Sequence, residues 1–144
     1  MNRVRYLLDV NTLIALIFPL HVHHSVVKPW FNADPFLSWA ICPFTEAGFL
    51  RYAMAPHLGQ VKLEEATIAL EKLAKHPGYH YLPAIAEWRS LCQPFFQRLF
   101  GHKQITDAYL LGLAVRENYK LVTLDRAILH LAGEYQDHVL FLGE

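Results

Sequence analysis

Short apolar segments recur along the chain and alternate with longer segments that have the spacing of helices. The short segments cover residues 5–8, 38–42, 79–82 and 121–123, and residues 139–142 form a candidate fifth. A continuous apolar run of this length is typical of a strand that is buried on both faces of a sheet. The pattern therefore predicts four or five short strands.

The longer segments predict the helices. Residues 63–75 are the clearest case, because leucine and alanine recur every three or four positions while glutamate and lysine fill the opposite face. Residues 106–117 are apolar almost all round, which predicts a buried helix, with Asn118 as its C-terminal cap. Residues 87–100 stay ambiguous because Pro94 interrupts them. The remaining predicted helices cover residues 12–18, 24–32 (with Pro29 as a kink or a break), 45–54 and 128–131.

This alternation predicts an α/β protein with right-handed crossovers between parallel strands. The expected architecture is a three-layer α/β/α sandwich with a short parallel sheet of four to five strands. With 144 residues, the chain has the length of one domain, which we assign to residues 1–144. Function is expected at the carboxyl ends of the strands, where parallel sheets bind their ligands.

Composition narrows the class of protein. Hydrophobic residues make up 53% of the chain and charged residues 18%, which excludes intrinsic disorder. The formal net charge is +0, so nucleic acid cannot be bound through net charge, although a local basic patch remains open. The candidates for such a patch are Arg51, Arg89, Arg98, His102, Lys103 and Arg126. The apolar excess and the zero net charge also favour self-association or a protein partner.

Two further features concern the cellular compartment. Cys42 and Cys92 form neither a disulfide framework nor a metal-ligand spacing, so we interpret them as buried thiols. The apolar run over residues 6–20 contains Asp9 and Asn11 and ends in a proline-containing turn, which is unlike a signal peptide or a membrane span. We therefore expect a cytoplasmic protein with no membrane segment.

Four acidic residues stand where a predicted strand ends or a predicted helix begins: Asp9, Glu46, Asp107 and Asp125. Each alone has an ordinary explanation as a helix cap or as a charge that complements the helix dipole. A parallel sheet, however, brings all four to one edge, where like charges raise one another's pKa. This arrangement is costly unless a cation neutralises it. Because the ligands are oxygens only, Mg²⁺ or Mn²⁺ is favoured over Zn²⁺.

Three polar residues lie within two positions of these acids and are placed to orient carboxylates or metal-bound water. They are Asn11, Thr106 and Thr123.

The segments around the acids resemble the PIN-domain ribonucleases, and specifically the VapC-type toxins of bacterial and archaeal toxin–antitoxin pairs. The segments are LLDVNTLI at 7–14, FTE at 44–46, ITDAYL at 105–110 and LVTLDR at 121–126. The resemblance spans nearly the whole chain. The block from Thr106 to Asp125 is quite specific, whereas residues 76–104 match least.

The resemblance implies a metal-dependent endoribonuclease that hydrolyses RNA and leaves a 5′-phosphate and a 3′-hydroxyl. Asp9 and Asp107 are the expected ligands of Mg²⁺ or Mn²⁺, directly or through water. Glu46 and Asp125 complete the metal shell, hold a second ion or position the attacking water. The resemblance also implies a small antitoxin partner, which inserts a segment into or beside the acidic cleft, and a homodimer. It does not identify the residues that contact RNA.

Other classes fit less well. A haloacid-dehalogenase-like phosphatase requires Asp-x-Asp after the first strand, where Asn11 takes the second place. A response-regulator receiver requires adjacent acids there, and Val10 does not fit. The remaining alternative is a catalytically silent PIN-like module that binds RNA or protein. The complete set of four acids argues against it, since without a metal ion these charges only destabilise the fold.

His21, His23 and His24 form a cluster outside these motifs. No cysteine or acidic co-ligand lies nearby, so we interpret the cluster as a turn between two helices rather than a zinc site. Contact with phosphate is the alternative.

Overall fold

A computed structural model describes residues 3–83 and 86–143, and its framework is one parallel sheet. The strands are β1 (Arg5–Leu8), β2 (Ser38–Ile41), β3 (Tyr79–Tyr81), β4 (Lys120–Thr123) and β5 (Val139–Phe141). They are ordered β3-β2-β1-β4-β5, and every neighbouring pair is parallel. The predicted strands are therefore confirmed, including the candidate fifth.

The strand order indicates where on the sheet a ligand would bind. From β1 the chain builds the sheet in one direction through β2 and β3, and it then returns to the other side of β1 to add β4 and β5. Leu8 is paired with Val122 in this central contact. The sheet thus has a topological switch point between β1 and β4, at whose carboxyl ends a crevice for ligands forms.

Seven helices connect the strands within the described residues: α1 (Val10–Ile17), α2 (His24–Ala33), α3 (Pro43–Met54), α4 (Leu63–Leu73), α5 (Trp88–Cys92), α6 (Ile105–Glu117) and α7 (Ala127–Ala132). The ambiguous segment resolves as α5 followed by a 3-10 helix over Gln93–Arg98, because Pro94 cannot donate a backbone hydrogen bond. Pro29 lies inside α2 without ending it.

The core has two halves, one on each face of the sheet. Leu7 and Leu121 pack with α5 and α6 on one face, and Leu8 and Val122 pack with α1 and α3 on the other. Successive strand residues point to opposite faces, so each strand contributes to both halves. All seven residues 108–114 of α6 are buried, as predicted, and Asn118 ends this helix in the left-handed conformation at φ 59°. The three-layer sandwich is confirmed.

Both cysteines are free and buried. Among the described residues, no helix combines the length and hydropathy needed to cross a membrane.

Candidate active site

Asp9 follows the central strand and caps helix α1. Its side chain is only 4% exposed, and its Oδ1 accepts a hydrogen bond of 2.8 Å from the backbone N–H of Thr12. Its own backbone N–H donates to the Val122 carbonyl at 3.1 Å. Burial raises the pKa of the Asp9 carboxyl above its ordinary value, hydrogen bonds from Thr123 and Thr12 oppose the rise, and the charge of Asp125 adds to it. A buried carboxylate is thereby fixed between β1, β4 and α1.

Asp107 and Asp125 are the acidic neighbours of Asp9. The charge of Asp125 acts on the pKa of Asp9, and the charges of Asp9 and Asp125 act on the pKa of Asp107. Asp107 is in the first turn of α6, and burial raises its pKa to about 6, with further contributions from the charges of Asp9 and Asp125. Asp125 follows β4, and its Oδ1 accepts a hydrogen bond of 2.9 Å from the Ala127 N–H. The structure therefore brings three of the four predicted acids together at the switch point. We call them the aspartate cluster.

Glu46, the fourth acid, faces a different neighbour. It lies in the first turn of α3, and its Oε1 accepts a hydrogen bond of 3.0 Å from the Tyr81 hydroxyl. Burial raises the pKa of Tyr81 to about 12, and this hydrogen bond and the Glu46 charge contribute. The charges that raise the pKa values of Asp9 and Asp107 come from aspartates and not from Glu46. A role for Glu46 at the metal stays a prediction.

The three predicted supporting residues differ in their surroundings. Thr123 is buried; its Oγ1 accepts a hydrogen bond of 3.0 Å from the Asp125 N–H, and its side chain hydrogen-bonds to Asp9. Asn11 is exposed and lines a cavity that Asp125 also lines. Thr106 is exposed. Thr123 is thus the one that links two members of the aspartate cluster.

Sequence reasoning missed three residues that hold the site together. The Thr12 hydroxyl donates to the Val122 carbonyl at 2.8 Å, and the buried Thr45 hydroxyl donates to the Leu8 carbonyl at 2.8 Å. These bonds tie α1 and α3 to the strand ends. The signal for Thr12 was its position three residues after Asp9, the spacing of an N-terminal cap. Tyr81, which binds Glu46, had no signal in the sequence.

The donor set suits a hard divalent cation. Among the described residues, no three His, Cys, Asp or Glu side chains already form a metal-binding group. The ion pairs within residues 3–83 and 86–143 are Arg3–Asp34 and Arg89–Glu87, so neither Asp9 nor Asp107 is neutralised by a basic side chain. The three aspartates repel one another, and neither the buried Asp9 nor the half-buried Asp107 has a basic partner within the described residues, which fits Mg²⁺ or Mn²⁺ because these ions prefer oxygen ligands.

The histidine cluster forms the turn between α1 and α2, as predicted. Nδ1 of His24 hydrogen-bonds to the Ala15 carbonyl at 2.7 Å, and the backbone N–H of His23 donates to Nδ1 of His21 at 3.1 Å. Burial lowers the pKa of His21, and the nearby His23 and His24 lower it further. We refer to residues His21, Val22 and His23 as the histidine turn.

The basic residues proposed for RNA contact differ in their surroundings, because some make contacts within the fold and others are exposed. Arg98 donates to the carbonyls of Leu131 and Ala132 at 2.8 and 3.3 Å, which assigns it a structural role. The Arg126 guanidinium lies 4.9 Å from the centre of the Phe141 ring. Lys103 is exposed in the short 3-10 helix His102–Gln104 that precedes α6. Arg98 is therefore removed from the candidates for RNA contact.

Comparison with known proteins agrees with this fold. The family model described as PIN domain matches residues 6–134. Ribonuclease VapC38 of Mycobacterium tuberculosis is 39% identical over 130 residues, which cover 89% of this chain and 90% of that relative. Ribonuclease VapC39 of the same species is 36% identical over 125 residues, covering 85% of this chain and 89% of that relative. The chain belongs to the PIN-domain family, in its group of VapC ribonucleases.

Two solved structures share the fold at low identity. VapBC2 from Rickettsia felis, crystallised with a DNA fragment from its promoter, has a TM-score of 0.64 at 14% identity and covers 96% of this chain and 97% of that chain. FitAcB from Neisseria gonorrhoeae has a TM-score of 0.62 at 15% identity and covers 89% and 93%.

Proposed function

We propose that this protein is a divalent-metal-dependent endoribonuclease, the toxin of a toxin–antitoxin pair. One observation carries the proposal: Asp9, Asp107 and Asp125 converge at the switch point of the sheet, and no basic side chain of the described residues pairs with Asp9 or Asp107. Relatives that share the family are named ribonucleases, and nucleases of this family generally depend on a divalent metal.

Asp9 and Asp107 hold the Mg²⁺ or Mn²⁺ ion in this proposal, and Asp125 completes the set. When bound, the ion neutralises charge on the scissile phosphate and lowers the pKa of a water molecule for in-line attack. The residues of the chain fix the geometry. Thr12 and Thr123 hold the Asp9 carboxylate by hydrogen bonds, so that its position is set before the ion arrives.

Protonation controls this site. A carboxyl must be ionised to bind a cation, and the Asp107 pKa of about 6 lies within reach of physiological pH. At pH 7.5 Asp107 is largely ionised and competent, whereas near pH 5 it holds a proton that a cation must displace. The affinity of the proposed site for the ion therefore falls as the pH decreases below about 6.

Partners follow from the same proposal. The substrate is RNA, cut to leave a 5′-phosphate and a 3′-hydroxyl, and the protein acts in the cytoplasm as a homodimer that a small antitoxin inhibits. Exposed apolar side chains suit such protein interfaces: Phe100 is 88% and Phe36 69% exposed. We also propose that residues 1–144 form one domain.

The direct test is cleavage of total cellular RNA by the purified chain in Mn²⁺ and in EDTA, with mapping of the ends. We expect cleavage only with the divalent ion, and its loss in Asp9→Asn and Asp107→Asn. Asp137→Asn is the matched control. Asp137 is an exposed aspartate in the segment directly before β5, at the amino end of the strand and away from the aspartate cluster. Undiminished cleavage by Asp9→Asn would contradict the assigned site, and no cleavage by the wild type would favour a silent binding module.

A further inference from the structure

A cavity beside the aspartate cluster shares Asp125 with it, and the histidine wall of this cavity has no part in the chemistry proposed above. It has a volume of about 410 Å³ and is lined by the histidine turn together with Asn11, Leu124 and Asp125. Its volume lies within the range of about 300–1,000 Å³ that is typical of small-molecule sites. Because Asp125 belongs both to the cavity and to the aspartate cluster, whatever fills the cavity lies next to the reacting phosphate.

We propose that this cavity is a nucleobase subsite, which takes one unpaired base of the RNA strand adjacent to the scissile phosphate. The inference rests on the proposed ribonuclease function. It adds a substrate requirement, namely a single-stranded nucleotide whose base is turned out of its stack. Proteins that recognise single-stranded RNA commonly stack such bases on aromatic rings, including histidine.

The histidine turn contains two imidazole rings and one N–H group that can donate a hydrogen bond to a ligand. The rings of His21 and His23 have centroids 5.7 Å apart and planes tilted by 41°. The backbone N–H of His23 donates to Nδ1 of His21. Nδ1 of His21 is therefore the unprotonated nitrogen, and Nε2 of the neutral ring carries the hydrogen that is available to a ligand. The amide of Asn11 adds a donor and an acceptor to the wall of the cavity.

The charges of the cavity favour a base over a phosphate. Its lining contains the Asp125 carboxylate and, among the described residues, no Lys or Arg. A phosphate would be repelled by this carboxylate without a compensating cation, whereas a neutral base is not. Apolar surface borders the polar groups, since Leu124 lines the cavity and Val22 is 79% exposed. Phosphate contact, the alternative for these histidines, is thus disfavoured.

The turn is also anchored. The hydrogen bond of 2.7 Å from the His24 ring to the Ala15 carbonyl ties the start of α2 to α1, and Asp9 caps the other end of α1. The backbone of the turn is therefore tied to the helix that Asp9 caps, and the His21 ring is held by the His23 N–H. A preformed stacking surface loses little conformational freedom when a base binds.

The experiment measures the affinity of a short single-stranded oligoribonucleotide, and of versions that carry one abasic nucleotide scanned through its length. All measurements use protein with intact metal ligands in Mn²⁺ and an oligoribonucleotide with a non-cleavable backbone, so that cleavage is suppressed without loss of the ion. We expect one abasic position to weaken binding by about tenfold. We expect that penalty to disappear when His21→Asn and His23→Asn are added.

The variants separate the ring from the turn. His21→Asn keeps an acceptor for the His23 N–H but removes the ring, whereas His21→Phe keeps a ring and removes the acceptor. The abasic penalty should persist in His21→Phe and in the control His57→Asn, which changes an exposed histidine in the segment after α3. Three results would overturn the subsite. The protein could show no measurable RNA binding, or no abasic position could weaken binding. The loss of affinity at an abasic position could also be as large in His21→Asn and His23→Asn as in the wild type. RNA cleavage by the wild type is scored separately, so a failure of the ribonuclease function is distinguished from a failure of the subsite.

Discussion

Replacement of Asp107 by asparagine should stabilise the metal-free protein, although it removes a residue of the proposed active site. The Asp107 carboxyl is largely buried against the charges of Asp9 and Asp125, and its pKa is raised from 3.8 to about 6. Its ionised form is therefore unfavourable in the folded state. Asparagine keeps the shape of the side chain and removes the charge.

The size of the stabilisation and its pH dependence follow from the raised pKa of Asp107. The difference of about two pKa units corresponds to about 3 kcal/mol at most, since one unit is about 1.36 kcal/mol. Partial solvent contact reduces the expected gain to about 1–2 kcal/mol. Because the folded-state pKa lies above the unfolded one, the free energy of unfolding of the wild type falls as the pH rises from about 4 through 6. The loss is complete above that window.

Thermal and urea unfolding of the wild type and Asp107→Asn in EDTA test this at pH 7.5 and pH 4. We expect the variant to melt about 2–8 °C higher at pH 7.5, since about 1 kcal/mol moves the midpoint by about 2–4 °C for a domain of this size. The advantage should largely disappear at pH 4, where Asp107 is protonated in the folded state and about half protonated in the unfolded state. Asp137→Asn should show neither effect. A variant that is less stable than the wild type at pH 7.5, or equally stabilised at both pH values, would refute the reasoning.

Further predictions concern the metal and the supporting contacts. Mn²⁺ at a hundred times its dissociation constant should add about 2.7 kcal/mol to the free energy of unfolding, and Asp9→Asn should abolish most of the rise in melting temperature; a response no larger than that of matched salt would count against the site. Tyr81→Phe should lower the cleavage rate if its hydroxyl positions Glu46, and adding Tyr81→Phe to Glu46→Gln should cost nothing more; additive losses would separate the two residues. Thr12→Val should lower the free energy of unfolding by about 1 kcal/mol in urea titrations, because the hydroxyl that bonds the Val122 carbonyl is lost; an unchanged midpoint would show that this bond adds no net stability.

The strands and most of the helices could be predicted from the sequence, because the local spacing of apolar residues determines both. Buried parallel strands read as continuous apolar runs, and α6 reads as apolar all round because it is covered by α5 and the sheet. The segment 87–100 could not be assigned from spacing. Its form depends on where Pro94 removes a donor, which converts the continuation of α5 into a 3-10 helix.

The aspartate cluster was predictable for the same reason, since strand ends meet at one edge of a parallel sheet. What the sequence could not supply is the direction of each side chain. Glu46 occupies the predicted turn of α3, yet its carboxylate bonds to Tyr81 across the sheet edge, a contact between residues 35 positions apart. The cavity beside the histidine turn likewise depends on how the link between α1 and α2 folds back towards Asn11 and Asp125. Such contacts are set by tertiary packing rather than by local spacing.

The central claim is that the aspartate cluster holds the ion on which RNA cleavage depends. Anomalous diffraction from crystals of the protein soaked in Mn²⁺ tests it most directly, because the anomalous peak locates the ion itself. We expect a peak within direct or water-mediated reach of the Asp9 and Asp107 carboxylates, and its loss in crystals of Asp9→Asn. A peak at Glu46 and Tyr81 or at the histidine turn, with none at the aspartates, would contradict it.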